Sequence, residues 1–226
     1  MELAIDTSTD WAGLALSSEG ITCYELTWKP GQNHTSELFP NLAAMLESTK
    51  TRMADVSAIF VARGPGSYNG LRAGISAAKG LVFSLNVPLI AVGTLEIEAF
   101  PFAFTSLPVC ALQDAGRGEI TAAFYQQDGE WKCLQEEHLT TLEKLCENVS
   151  TRTVFCGEIT PAAADRISSI LGDRAMIPGF QERIRRPGFL SKLGWQRWQA
   201  GFCDNPAALQ PIYLRQPPIT QRKKKY

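Results

Sequence analysis

The sequence predicts an α/β protein built twice over, with two lobes that each hold a mixed sheet flanked by helices. Three observations lead there. Two strands end on an aspartate at a turn, Asp6 in "AIDTST" and Asp114 in "ALQDAGRG", and each begins an antiparallel hairpin. Short apolar runs rich in β-formers, "SAIFVAR" and "RTVFCG", follow in both halves and alternate with helical stretches. The pattern restarts near Leu107, the mark of an internal repeat. Strands that form a meander and then alternate with helices make a sheet with an antiparallel edge and parallel strands joined by crossover helices. The expected lobes are residues 1–104 and 105–226, the second a reduced copy.

In chain order, "ELAI" runs into Asp6-Thr7-Ser8-Thr9, then Ala12, Leu14 and Leu16 alternate with small residues, and Ser17-Ser18-Glu19-Gly20 turns into "ITCYELTW". This is a three-stranded meander. From Asn33 to about Lys50, Leu38, Leu42, Met45 and Leu46 recur at helical spacing, with Pro40 tolerable only in the first turn or as a kink. "SAIFVAR" has the composition of a buried parallel strand, and Ser67 stands where a helix to about Leu85 needs an N-cap. "PLIAV" makes another strand and Thr94 opens a third helix. The second copy supplies "PVCALQD", "EITAAFYQ" and "EWKCLQEEHL" as strands, then a helix near Thr141 to Asn148, the strand "RTVFCG" and a helix from Pro161. The segment after Ile177 is irregular until "PGFLSKLGWQRWQAG", a helix with a broad apolar face that Gly201 ends. The prolines of "PIYLRQPPIT" read as extended chain.

Composition narrows the chemistry. The 226 residues are 45% hydrophobic and 20% charged, an ordinary globular mixture. A net charge of -1 argues against a surface given over to nucleic acid, although Arg222, Lys223, Lys224 and Lys225 make a short basic tail. No stretch approaches the roughly 18 to 20 apolar residues of a membrane helix, and the N-terminus lacks a signal pattern, so the expectation is a soluble cytoplasmic protein with no membrane partner. Six scattered cysteines form no CxxC pair, and two histidines, His34 and His138, offer little for a metal site or a histidine-based triad.

Hairpins that end in aspartate, one per lobe, point to the actin, hexokinase and Hsp70 superfamily, the ASKHA fold, in which each lobe offers a hairpin to nucleotide phosphates across a cleft. There Asp6, Thr7, Ser8 and Asp114 would organise hydrated magnesium and hold phosphate oxygens. The alternative is that Asp6-Thr7-Ser8 is a turn whose side chains bond local backbone. The remaining signals are against a working ATP site. "GPGSYNG" fits neither the dinucleotide fingerprint nor a P-loop. "CGEIT" shows a single glycine where a superfamily member exposes a pair to the adenosine. Gly70, Gly74, Ala77, Ala78 and Leu81 fall on one helical stripe almost free of side chains, and glycine within a helix costs about 0.5 to 1 kcal/mol against alanine, so another backbone needs the room. That backbone belongs either to the sheet of the same lobe or to a second chain, which Arg72 would help to recognise.

Taken together, "AIDTST", "GPGSYNGLRAGISAAKGL", "VGTLE", "DAGRGEITAAFY" and "PIYLR" resemble the TsaB (YeaZ) family over nearly the whole chain. The resemblance implies a non-catalytic subunit, without cofactor, of the machinery that places threonylcarbamoyl on the adenosine beside the tRNA anticodon. Its partners would be the catalytic homologue TsaD, joined through the first two helices of the N-terminal lobe, and the ATPase TsaE; a homodimer would form when TsaD is absent, and tRNA would be met indirectly. The implied interface is Leu38, Leu42, Met45, Gly70, Arg72, Gly74, Ala77, Ala78 and Leu81, so Gly74→Leu should spare the fold and abolish association. The catalytic relative carries a His-x-x-x-His metal pair at the start of the third helix, where this chain has Thr94-Leu95-Glu96-Ile97-Glu98. Glu96 and Glu98, two residues apart, point in different directions and cannot replace the pair. The competing readings are an ATP-dependent small-molecule kinase and a peptidase, the latter opposed by the want of a Ser or Cys motif with a histidine partner.

Overall fold

In the computed structural model of the protein, residues 1–30 and 34–214 are described, with side chains for all of these except His34 and Thr35. The basic tail and residues 215–220 of "PIYLRQPPIT" lie outside the described residues.

The first sheet has central strands buried on both faces and a partly exposed edge strand. β1 (Glu2–Asp6), β2 (Ala12–Ser18) and β3 (Ile21–Trp28) make the meander, and β4 (Ala58–Ala62) and β5 (Leu89–Val92) add in parallel, giving the order β3-β2-β1-β4-β5. α1 (His34–Thr49) and α2 (Tyr68–Leu85) cross over one face. Ser67 caps α2 by accepting from the Gly70 N–H, as its position predicts. α3 (Thr94–Ala99) is short and passes into a 3-10 turn at Phe100–Thr105.

The second sheet repeats the scheme. β6 (Val109–Gly116), β7 (Glu119–Asp128) and β8 (Glu130–Thr140) form a meander, β9 (Thr153–Gly157) pairs parallel with β6, and the two-residue β10 (Ala175–Met176) closes the edge. Its order, β8-β7-β6-β9-β10, is that of the first sheet strand for strand. α4 (Leu142–Glu147) and α5 (Pro161–Leu171), capped by Thr141 and Thr160, are the shortened helices of the copy. β10 was not foreseen, since two residues are too few to show a period.

Two features depart from the sequence reading. α6 (Pro187–Gln199) belongs by position to the second lobe but packs on the first: Leu190 and Leu193 join Ala4, Ala15, Phe60 and Ile90 in one apolar cluster on the sheet face opposite α1 and α2. The chain therefore crosses between lobes a second time, near residues 183–187. The expected partner-binding stripe also faces inward. Leu38, Leu42 and Met45 are buried in the first lobe's core with Ile75, Ala77, Ala78 and Val82, and Leu81 packs on the same cluster. Gly70 and Gly74 are buried as well, while Arg72 is exposed, its guanidinium 4.3 Å from the centre of the Tyr68 ring. A row at i, i+4 and i+7 marks the face that meets the sheet, and each buried leucine or methionine contributes about 1.5 to 3 kcal/mol there. The surface of the two helices is the opposite face. It carries Phe39, Ala43 and Ala44 on α1 and Ser76, Gly80 and Phe83 on α2, with Phe39 47% and Phe83 67% exposed.

Candidate functional site

Turning α2 inward answers why glycine is needed at position 74. The Thr7 hydroxyl donates to the Gly70 carbonyl at 2.7 Å, and the Ser67 N–H donates to the Ser8 carbonyl at 2.7 Å. A Cβ on Gly74 would overlap the Thr7 hydroxyl oxygen. The close approach is between α2 and the β1–β2 turn of the same lobe.

The turn itself is satisfied from within. The Asp6 Oδ1 accepts from the Ser8 N–H at 3.0 Å and the Ser8 hydroxyl at 2.7 Å, so Asp6, Thr7 and Ser8 are buried and bonded. The remaining capacity of Asp6 goes to Arg185, which arrives from the crossing between lobes. Its Nε donates to Asp6 Oδ2 at 2.5 Å, its Nη2 to the Thr9 hydroxyl at 2.8 Å, and its Nη1 to Glu98 Oε1 at 2.8 Å. Gln113 of β6 donates to the same Glu98 oxygen at 3.1 Å, which ties α3 to the second lobe. A Cβ on Gly157 would come within 2.6 Å of Glu98 Oε2, so glycine there makes room for the carboxylate.

Burial governs the electrostatics of this group. It pushes the Glu98 carboxyl up to about 7, against the pull of Arg185. Burial also opposes the charge of Arg185, but Asp6 and Glu98 outweigh it and hold the guanidinium above its ordinary value. Asp114 does not join the group. It is exposed, accepts from the Gly116 N–H at 2.8 Å, and lines a cleft of about 410 Å³ with Asp10, Trp11, Glu158, Arg183 and Arg185. Burial raises Glu158, which Arg185 lowers and the negative charges of Asp10 and Asp114 raise further.

Of the four expected phosphate-site residues, Asp6 meets the Arg185 guanidinium, Thr7 is bonded to Gly70 and Ser8 to Asp6, and Asp114 lines the cleft beside them. The Arg185 guanidinium occupies the Asp6 carboxylate that a nucleotide site would keep free for magnesium. Sequence reasoning missed Arg185 and the part played by Glu98. "RIRRPGF" reads as a charged irregular stretch, and nothing local to it points to Asp6. Among the described residues no group of three or more His, Cys, Asp or Glu is placed to hold a metal ion, and no helix is long and apolar enough to cross a membrane.

Twin sheets of one strand order, each opening on a hairpin with an aspartate at or near the end of its first strand beside an interlobe cleft, define an actin-like two-lobe protein of the ASKHA class. A family model described as "TsaD: tRNA N6-adenosine threonylcarbamoyltransferase" matches residues 29–154. The Bacillus subtilis tRNA threonylcarbamoyladenosine biosynthesis protein TsaB is 30% identical over 217 residues, 94% of this chain and 93% of its own length. Its Escherichia coli counterpart is 36% identical over 134 residues, 57% of each chain. Among solved structures, YeaZ from Pseudomonas aeruginosa superposes with a TM-score of 0.76 at 26% identity, covering 93% of this chain and 98% of that one. The chain belongs to the TsaB (YeaZ) family and takes part in the biosynthesis of threonylcarbamoyladenosine in tRNA.

Proposed function

We propose that this chain is the non-catalytic, required subunit of the complex that transfers threonylcarbamoyl from threonylcarbamoyl-AMP to the adenosine next to the anticodon, and that it acts by binding and activating TsaD. The observation that carries the reading is the Arg185 guanidinium bonded to Asp6, Thr9 and Glu98. It commits to the fold the carboxylate that an ATP-handling relative turns toward magnesium, and so favours a binding role over the kinase alternative.

The partner surface is the outward face of α1 and α2, with Phe39 and Phe83 as anchors among Ala43, Ala44, Ser76 and Gly80. Two exposed aromatic rings among small side chains let a second pair of helices approach closely, and aromatic anchors carry much of the energy in such contacts. TsaD would occupy this face in the complex and a second copy of the chain in its absence, with TsaE joining the pair and tRNA met through the assembly, in the cytoplasm.

The test is transfer of labelled threonylcarbamoyl to unmodified tRNA by the matching TsaD and TsaE, with TsaC as the enzyme that supplies threonylcarbamoyl-AMP, with and without this chain. Label that appears only in its presence supports the reading. Equal labelling without it, together with ATP turnover by the chain alone, replaces the subunit with a kinase.

A further inference from the structure

A second interlobe cavity of about 610 Å³ shares no lining residue with the Arg185 cleft. It lies between Arg63, Gly93 and α3 of the first lobe and β7 and β8 of the second, and its size is that of sites for small ligands. We propose that it binds a small ligand with two cationic groups and one carboxylate, the chemistry of a free basic amino acid such as lysine or arginine.

The charges in the wall do not cancel. Glu96 and Arg197, both in the wall, pair with each other, and Arg197 also donates to the Ala91 carbonyl at 2.6 Å, so together they add no net charge. Three charged groups remain: Arg63, Glu136 and Glu137. Among the described residues none of them makes an ion pair, and the Arg63 Nε is buried without a partner. One cation and two carboxylates therefore face a common space without neutralising one another. The Glu137 carboxylate reaches across to the first lobe, where a Cβ on Gly93 would come within 2.8 Å of its Oε1.

The other walls suit the same ligand. Tyr125 and Trp131 stack with ring centres 5.5 Å apart and 7° between planes, and Phe100 braces Trp131 edge-on at 5.3 Å. With Ile212 and Leu214 they make an apolar wall against which the alkyl stem of such a ligand packs. Burial raises both the Cys133 thiol and the Tyr125 phenol, and Glu137 raises them further, so both stay neutral and the field in the cavity stays negative. The guanidinium of Arg63 offers its planar fork to the carboxylate of the ligand, and Glu136 and Glu137 take its ammonium and side-chain cation.

Calorimetric titration of the full chain with L-lysine and L-arginine tests the proposal, with norleucine and cadaverine as probes that lack the side-chain cation and the carboxylate. The expected result is saturable binding of a basic amino acid that weakens about tenfold or more with either probe and in Arg63→Gln and Glu137→Gln. Glu136→Gln changes an exposed position and keeps the test open should the other variants lose the fold, which their melting temperatures report. No saturable binding, or binding that the three variants leave unchanged, overturns the proposal. So does binding that appears only after deletion of Gln221 to Tyr226, for then the chain's own basic tail is the cation the cavity was built to take.

Discussion

Arg185 and Asp6 stand 179 positions apart in the chain, and their side chains meet at 2.5 Å, 5% and 3% exposed. A buried ion pair is weak evidence for stability, because desolvation offsets much of the attraction, but removing one partner leaves the other charge buried and uncompensated. Arg185→Ala strands the Asp6 carboxylate and removes the pull that keeps Glu98 from holding its proton. The expected loss is about 3 to 5 kcal/mol in urea unfolding. A loss under about 1 kcal/mol would show that the pocket refills with water at little cost.

Glu98 makes stability depend on pH. Its carboxyl titrates near 7 in the folded chain against an ordinary 4.5, so the folded state holds the proton more tightly. The contribution is fully present below about 4.5 and is lost as pH rises through about 7, up to roughly 3 kcal/mol across the window. Subtracting the pH profile of Glu98→Gln from that of the wild type isolates it. A difference that stays flat from pH 4.5 to 7.5 contradicts the assignment.

Gly74 and Gly80 lie on the same helix and respond in opposite ways to alanine. At Gly74 the added methyl overlaps the Thr7 hydroxyl, itself held by the Gly70 carbonyl, and overpacking of about 1 to 3 kcal/mol outweighs a helix-propensity gain of at most about 1. Gly80 has open space around it, so Gly80→Ala keeps that gain. Thermal melts of the two variants decide it: Gly74→Ala melts below the wild type and Gly80→Ala at or above it. The same overlap corrects the expectation from sequence, because Gly74→Leu injures the fold before it can report on association.

Much of the architecture was legible. The paired aspartates, the Ser67 cap and the restart near Leu107 are local signals, and each fixed an element where the structure has it. The face of a helix was harder to read. A stripe of small residues states only that something approaches closely, and Gly74 met Thr7 rather than another chain. Arg185 could not be read at all, since its meaning lies in Asp6, Thr9 and Glu98, which the fold brings to it from 87 to 179 positions away.

The outward face of α1 and α2 carries the proposed function, and one measurement addresses it directly. Sedimentation of this chain mixed with the matching TsaD is compared with the same mixture made with Phe83→Glu, and again with Phe39→Glu. Both rings are exposed, so both variants should melt within about 1 kcal/mol of the wild type in stability. The account predicts a complex with the wild-type chain and its loss with each variant. Complexes that form equally well with the wild type and both variants would contradict it and place the partner elsewhere on the molecule.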